Sequence, residues 1–269
     1  MIMKIAFFDI DGTLINAQNG MMSPDDETKD ILKQFQQQGN KIVIASARGA
    51  IPEGLKDILF DGYVLCDGHY IIYNNEILVD EVLTTPEIQK QMEVYQKYQG
   101  RPMFYGHHGE WCDCLDDELV IKHRVMFQGT DQRPENVVER YEAQDVDAIS
   151  CCVLFETVEQ MWKAYHELEN DMTIVAYDHG LIRMDVYHKG FKKGTACKYL
   201  YQKLGIDQKD TYAFGDGVND MEMFELVGHG IAMGNAVDRL KNIAEFVTDY
   251  VDCAGIDKAF YRYFGKDLS

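Results

Sequence analysis

The stretch of residues 4–14 constrains this 269-residue chain most, because an apolar run ends there in two carboxylates, a glycine and a hydroxyl. Ile5–Phe8 is too short for a helix and is flanked by turn-forming residues, which predicts a buried parallel strand. Asp9 would then lie at the carboxyl end of that strand. Open α/β sheets bind their ligands at this end.

Asp9 and Asp11 are two residues apart, so in extended backbone both side chains point to one side, and Gly12 lets the chain turn around them. Carboxylates separated by about 4 Å repel by about 1 kcal/mol in water and about 4 kcal/mol at an effective dielectric near 20. The pair therefore needs a cation or a shared proton, and a hard divalent cation suits it. For this stretch alone, a strand ending in a polar turn is the simpler alternative. A calcium loop is excluded, because its twelfth position requires Glu where this chain has Gly20.

The length favours two domains, and 46% hydrophobic with 26% charged residues is typical of folded globular proteins. A net charge of −19 disfavours nucleic acid and anionic membrane surfaces as partners. Seven cysteines, no signal-peptide core and no membrane-spanning run predict a reduced, cytoplasmic setting. The one zinc-like cluster combines Cys112 and Cys114 with His107 and His108, and its irregular spacing favours packing or surface thiols over structural zinc.

Helices and strands are predicted to alternate at both ends of the chain, as in βαβ units. A helix should begin with Ser23 as its N-cap, and strand 41–45 should end at Ser46. A helix over 51–60, a strand over 63–66 and a hairpin turning at Asn74-Asn75 complete the first part. The alternation resumes with helices over 195–204, 221–227, 235–246 and 255–264, and with strands over 211–214 and 231–233.

The pattern changes between about Glu81 and Val186. A helix should open at Thr85, followed by strands over 103–107 and 110–115. Strands over 149–155, 173–177 and 181–186 should surround a helix over 158–169. The sequence therefore predicts an α/β fold whose parallel-sheet core is split by an α+β insert.

A second acidic cluster, Asp216 with Asn219 and Asp220, also follows a predicted strand. It would lie beside Asp9 if the two strands share a parallel sheet. Taken alone, this cluster could simply cap a helix. Taken with Asp9, it favours a metal site, because unpaired carboxylates are not gathered in one place without a cation.

Lys192 and Lys193 supply positive charge just before a helix amino end, where exposed N–H groups also favour anions. A solvated basic pair is the alternative. A P-loop nucleotide site is excluded, because the required Gly-x-x-x-x-Gly-Lys-Ser/Thr order is absent.

Four motifs in this order resemble the haloacid dehalogenase (HAD) superfamily, specifically its Cof-type phosphatases with a large C2B-type α/β cap. They are Asp-x-Asp-Gly-Thr beginning at Asp9, the strand-end Ser46, Lys193 before a glycine, and Gly-Asp-x-x-Asn-Asp ending at Asp220. The resemblance implies a Rossmann-like core over 1–80 and 187–269, with an inserted cap over 81–186 that sets substrate specificity. The chain departs at Asp67-Gly68, where many relatives have Asn-Gly, and at Ser46, where Thr is common. Neither departure removes a required chemical group.

The resemblance also implies site roles. Asp9 would attack phosphorus to form an aspartyl-phosphate, and Asp11 would act as general acid and then general base. Mg²⁺ would be held by Asp9, the main-chain carbonyl of Asp11, and Asp216. The implied phosphate-binding residues are Ser46, Lys193 and Asn219, and Asp220 would orient Lys193 or metal-bound water from behind.

The expected function is a Mg²⁺-dependent phosphatase for small cytosolic phosphate monoesters, sugar phosphates first and flavin or pyridoxal phosphates next. A phosphomutase with the same nucleophile and a non-catalytic phosphate-binding regulator remain alternatives, and the oligomeric state is open. A P-type ATPase is excluded by the lack of membrane-spanning segments. Arg48 could reach the distal part of a substrate or lie on the surface. Four insert residues could read a substrate's polar end, although the first three also suit a helix surface: Lys122, His123, Arg124 and Arg183.

Overall fold

We analysed a computed structural model, which describes residues 2–265. The chain divides into two compact units: one joins the residues up to Val79 with those from Lys192, and the other is Asp80–Phe191. The predicted limits of the inserted domain, 81 and 186, and its role in substrate specificity stay predictions.

The strands are β1 (Ile5–Phe8), β2 (Lys41–Ala45), β3 (Gly62–Leu65), β4 (Tyr70–Tyr73), β5 (Glu76–Asp80), β6 (Arg101–Tyr105), β7 (Glu110–Trp111), β8 (Val137–Val138), β9 (Ser150–Leu154), β10 (Met172–Tyr177), β11 (Arg183–His188), β12 (Thr211–Gly215), β13 (His229–Ala232) and β14 (Phe246–Val247). The α-helices are α1 (Asp26–Gln37), α2 (Thr85–Tyr98), α3 (Glu118–Gln128), α4 (Val158–Leu168), α5 (Lys193–Lys203), α6 (Met221–Leu226), α7 (Asp238–Ile243) and α8 (Gly255–Phe264).

The first unit is built on a sheet of strand order β14-β13-β12-β1-β2-β3-β4-β5. β1 pairs in parallel with β12 on one side and with β2 on the other. All four residues of β1 are fully buried, as expected of a central strand covered on both faces. Because parallel strands have their carboxyl ends on one edge, the segments that follow β1, β2 and β12 meet there. The predicted α/β fold with a parallel-sheet core is confirmed.

An aromatic cluster forms much of this unit's core. Phe8 of β1 stacks on Phe214 of β12 at 4.8 Å, and Phe260 of α8 stacks on Phe214 at 5.5 Å. Phe35 of α1 meets Phe260 edge to face at 5.3 Å. The two helices therefore pack against the same central strands that carry the polar strand ends.

Turn and cap chemistry explain several element ends. The hairpin of β4 and β5 turns at Asn74-Asn75 with φ of 50° and 64°, as predicted, because asparagine tolerates the left-handed region. Helix α1 begins after Asp25, whose side chain accepts a hydrogen bond from the Thr28 N–H at 2.8 Å. The prediction of Ser23 as N-cap was wrong, because Asp25 is the residue placed to satisfy the first-turn N–H groups.

Two predicted helices were too long. Residues 51–60 contain only a short 3₁₀ turn, Glu53–Leu55, because Pro52 and Gly54 both disfavour an α-helix interior. In residues 235–246, only Asp238–Ile243 is helical, and Phe246 instead pairs with Ile231 of β13. Ladder hydrogen bonds and burial against β13 outweigh the local helical pattern there.

The second unit has a six-stranded sheet of order β10-β11-β9-β6-β7-β8, mostly antiparallel. Helices α2 and α4 pack on one face over Phe104, Val153 and Val186. On the other face, Val120 of α3 packs with Met103, Cys152 and Leu154. The strand predicted over 110–115 is reduced to Glu110–Trp111. Within the described residues, no helix has the length and apolar character needed to cross a membrane.

Candidate active site

A buried ion cluster lies at the carboxyl ends of β1 and β12. Asp9 is 7% exposed, and its Oδ1 lies 2.6 Å from the Lys193 Nζ. The same ammonium lies 2.5 Å from Asp220 Oδ1. Lys193 and Asp220 are themselves at most 1% exposed. One ammonium at the start of α5 therefore holds two buried carboxylates that are 211 residues apart in the chain, at positions 9 and 220.

The electrostatics of the cluster are dominated by burial. Burial raises the pKa of Asp9 to about 7, although the Lys193 charge opposes the shift. Burial alone would lower the pKa of Lys193, but the charges of Asp220 and Asp9 outweigh it and raise that pKa. The pKa of Asp216 is raised by burial and then by Asp9 and Asp220. The cluster thus has more negative charge than Lys193 alone can balance.

Asp220 also organises its own loop. Its Oδ2 accepts hydrogen bonds from the N–H groups of Asp216 and Gly217, both at 2.9 Å. With Oδ1 on Lys193, both oxygens of Asp220 are engaged by protein groups. The role of Asp220 in orienting Lys193 or metal-bound water stays a prediction.

The residues present fit a hard divalent cation. Asp9, Asp216 and Asp220 each offer one carboxylate oxygen, and these three oxygens lie within 4.8 Å of one another. Gly12 makes room for the Asp216 carboxylate: a Cβ at position 12 would lie 2.2 Å from its Oδ2, and the backbone there has φ of 84°. An all-oxygen donor set with excess negative charge suits a hard divalent cation better than a soft one.

Asp11 has a basic partner of its own. Arg48 Nε donates to Asp11 Oδ2 at 2.6 Å, and its Nη2 donates to Oδ1 at 2.8 Å, a bidentate pair. The sequence predicted that Asp9 and Asp11 need a cation or a shared proton. In the structure, each carboxylate has a separate basic side chain. The reason is tertiary: β2 brings Arg48 to Asp11 while α5 brings Lys193 to Asp9.

The remaining predicted residues lie on adjoining loops. Ser46 is 2% exposed, and its Oγ accepts a hydrogen bond from the Arg48 N–H at 3.2 Å. Asn219 Nδ2 donates to Asp67 Oδ1 at 3.1 Å, and the Asp67 N–H donates to the Ser46 carbonyl at 3.0 Å. Chains of hydrogen bonds therefore connect the loops after β2, β3 and β12.

Asn235 is a site residue that sequence reasoning missed. Its Nδ2 donates to the Gly12 carbonyl at 2.7 Å and to Asp216 Oδ2 at 3.3 Å, while its Oδ1 accepts from the Val251 N–H at 3.1 Å. It follows β13, so the rule that singled out Ser46, a polar residue just past a strand, would have found it. Arg48 and Asp67 were noticed in the sequence, but their partners could not be read there.

Comparison with known proteins now identifies the family. The family model described as haloacid dehalogenase-like hydrolase matches residues 6–260. The chain belongs to this family. YkrA of Bacillus subtilis (strain 168) is 30% identical over 258 residues, covering 94% of this chain and 95% of that protein. The solved structure of BT4131, a HAD subclass IIB sugar phosphatase, is 28% identical and covers 97% of this chain and 98% of that one, with a TM-score of 0.83.

A further HAD relative is named 5-amino-6-(5-phospho-D-ribitylamino)uracil phosphatase YwtE, also from Bacillus subtilis (strain 168). It is 25% identical, covering 94% of this chain and 96% of its own length. With these relatives, the predicted HAD resemblance is confirmed. The chain is an enzyme of the HAD family, a hydrolase acting on phosphate monoesters.

Proposed function

We propose that this HAD enzyme is a Mg²⁺-dependent phosphatase of small cytosolic phosphate monoesters, with sugar phosphates as the first class and flavin or pyridoxal phosphates as the next. The observation that carries the proposal is the buried Asp9 carboxylate, held by Lys193 at 2.6 Å at the end of a central parallel strand. Two relatives support the substrate class, since one is a sugar phosphatase and the other is named for a ribityl phosphate.

Asp9 is the proposed nucleophile. Its Oδ1 is held by Lys193, which leaves Oδ2 to attack phosphorus, form an aspartyl-phosphate and expel the alcohol. Because the pKa of Asp9 is about 7 in this arrangement, further positive charge at the carboxylate cluster would keep it ionised at neutral pH. The Lys193 ammonium would also neutralise charge on the incoming phosphate.

Asp11 is the proposed general acid and then general base. It would protonate the departing alkoxide and later take a proton from the water that hydrolyses the aspartyl-phosphate. Both of its oxygens accept hydrogen bonds from Arg48, which would have to release Asp11 for that carboxylate to face the substrate unhindered. Arg48 would then be available to the substrate.

Asp9, the main-chain carbonyl of Asp11, and Asp216 would hold Mg²⁺, which when bound supplies positive charge beside the phosphate and the nucleophile. Ser46 and Asn219 would donate hydrogen bonds to phosphate oxygens, and Lys193 would pair with them. Asp220 would fix Lys193 from behind, through the 2.5 Å contact. Asn235, which bridges Gly12 and Asp216, would keep one metal ligand in place.

Two alternatives use the same residues. A phosphomutase would form the same aspartyl-phosphate but return the phosphoryl group to a sugar. A non-catalytic phosphate-binding regulator would bind the ester without turnover. The phosphatase is preferred because the relatives with stated activities are phosphatases.

The test is hydrolysis of p-nitrophenyl phosphate by the purified protein with Mg²⁺ and with excess chelator. We expect release of p-nitrophenol with Mg²⁺ and at least a hundredfold slower release with chelator. Equal rates would contradict the metal requirement, and no release in either condition would favour the regulator. Label transfer from a sugar bisphosphate to an acceptor sugar would instead indicate the mutase.

A further inference from the structure

The loop that follows β3 carries a buried carboxylate, Asp67, to which no role has been assigned above. Asp67 is 1% exposed, and Cys66, Asp67 and Gly68 have successive positive φ values of 49°, 48° and 106°. Aspartate and glycine tolerate this left-handed backbone better than most residues do. A buried carboxylate is costly unless other groups stabilise it, so the partners of Asp67 indicate what it does.

Asp67 interacts with each of the three residues proposed to bind phosphate. Its N–H donates to the Ser46 carbonyl at 3.0 Å, and its Oδ1 accepts a hydrogen bond from Asn219 Nδ2 at 3.1 Å. Burial lowers the pKa of Lys193, and the charge of Asp67 adds to those of the ion cluster in raising that pKa. One buried side chain is therefore coupled to the loops after β2 and β12 and to the start of α5.

The hydrogen bond with Asp67 sets the orientation of the Asn219 amide. An ionised carboxylate can only accept, so the amide turns its Nδ2 towards Asp67. Its Oδ1 lies towards Gly217, where an added Cβ would be 2.7 Å away. Asn219 is half-buried, and its second Nδ2 N–H makes no hydrogen bond within the described residues. That N–H can therefore be donated to a ligand.

We propose that Asp67 is a positioning residue for phosphate binding, which holds the Asn219 amide so that an N–H and not the oxygen faces the phosphate. This inference rests on the proposed function, in which Asn219 donates to a phosphate oxygen. Asp67 acts through Asn219 and need not contact the phosphate, since two anions repel. The role requires an acceptor atom at position 67, which an amide oxygen could also supply.

Two substitutions separate the acceptor from the charge. Asp67→Asn and Asp67→Gly both remove the negative charge, and both residues tolerate the left-handed backbone, but only asparagine keeps an acceptor oxygen. Asp67→Ala also lacks the acceptor and serves as a second variant of that kind. Asn75→Gly is the matched control, because Asn75 is an exposed turn residue with φ of 64° in the same unit.

The experiment measures calorimetric binding of inorganic phosphate in buffer containing Mg²⁺, together with KM and kcat for p-nitrophenyl phosphate. We expect Asp67→Gly and Asp67→Ala to bind phosphate about tenfold more weakly than Asn75→Gly, as for the loss of one charge-assisted hydrogen bond. The loss should appear mainly in KM. Asp67→Asn should bind within about twofold of the control, because its oxygen can still accept from Asn219.

A double-mutant cycle with Asn219→Ala tests whether Asp67 acts through Asn219. If it does, adding Asp67→Gly to Asn219→Ala should weaken phosphate binding by less than about twofold. Losses that multiply across the two positions would overturn the inference, since Asp67 would then act independently of Asn219. Equal losses in Asp67→Asn and Asp67→Gly would overturn it as well, because the charge and not the acceptor would matter.

The inference and the proposed function can fail separately. An active wild type whose Asp67→Gly and Asp67→Ala variants match Asn75→Gly in phosphate affinity and in KM would overturn the role of Asp67 alone. A wild type that turns over no ester but binds phosphate with the expected pattern across the variants would support the role of Asp67 and contradict the phosphatase.

Discussion

Lys193 places one ammonium between two buried carboxylates, and these three residues form part of the candidate site. The Lys193 ammonium pairs with one oxygen of Asp9 and one of Asp220, and the other oxygen of Asp220 accepts two backbone hydrogen bonds, so part of the cost of burying this charge is offset. Removing Lys193 would leave both carboxylates buried without their common counter-ion, which is costly.

Asp9→Asn should abolish turnover of p-nitrophenyl phosphate, with kcat at least a thousandfold lower, because an amide cannot serve as the nucleophile. The fold should survive, since the change removes one of several crowded negative charges and keeps the shape. Steady-state kinetics with circular dichroism check both parts. Asp30→Asn, at an exposed position of α1, is the control, and activity above one per cent in Asp9→Asn would place the nucleophile elsewhere.

Lys193→Met should lower the free energy of unfolding by about 3 kcal/mol, because Asp9 and Asp220 then remain buried without their common cation. Urea denaturation followed by circular dichroism measures the change. Lys192→Met is a matched control, since Lys192 is the exposed neighbour. Equal midpoints for the two variants would show that the cluster contributes nothing to stability.

At the level of the elements, the residue that caps the carboxyl end of a helix affects stability and can be changed by a single substitution. The C-cap of α2 is Gln99, whose φ of 57° is left-handed, and the C-cap of α3 is Gly129, with φ of 72°. The two ends have similar backbone geometry but different residues. Glycine adopts this conformation without strain, and a residue with a Cβ does so at a cost of about 1 kcal/mol.

Gln99→Gly should therefore raise the free energy of unfolding by about 0.5 kcal/mol, less than the full strain because its exposed hydrogen bond with Gln160 is lost. Gly129→Ala should lower it by about 1 kcal/mol, since the space around Gly129 is open and strain is the main cost. Chemical denaturation of both variants provides the comparison. Changes of the same sign would rule out backbone strain as the cause.

At the scale of the whole molecule, the last helix closes the first unit through a buried polar contact as well as through aromatic packing. Asp257 of α8 accepts a hydrogen bond from the Thr28 hydroxyl of α1 at 2.7 Å, and its Oδ2 is buried without a partner among the described residues. Burial raises the pKa of Asp257, although Thr28 opposes the shift. Two residues that are 229 positions apart in the chain are thus joined at a site that favours the protonated form of Asp257.

A folded-state pKa above the unfolded-state value means that this group favours folding most at low pH, and that its contribution falls as pH rises through the folded-state pKa. Asp257→Asn keeps an oxygen for Thr28 and removes the titration. The variant should therefore gain stability over wild type at pH 8 and gain less at pH 4.5. Urea denaturation at both pH values, with the exposed Asp238→Asn as control, checks this. A gain that does not change with pH would contradict the pKa shift.

Much of the fold could be predicted because its signals are local. The buried β1, the Asn74-Asn75 turn and the switch to an α+β pattern near Glu81 all follow from hydrophobic periodicity and turn chemistry. The failures at 51–60 and 235–246 occurred where a glycine, a proline or pairing with β13 outweighed a helical pattern. Such competition depends on partners that are distant in the chain.

The candidate site likewise combines features that could be predicted from the sequence with features that could not. The sequence by itself determined that Asp9, Ser46 and Asp216 each follow a strand of an α/β fold, because hydrophobic periodicity is a property of the chain. It also predicted that the crowded carboxylates need a cation or a shared proton, because their repulsion depends only on charge and spacing. Only the tertiary structure decided which cation each carboxylate has: Lys193 for Asp9 and Asp220, and Arg48 for Asp11. Those pairings depend on side-chain distances across loops that meet only when the sheet is assembled.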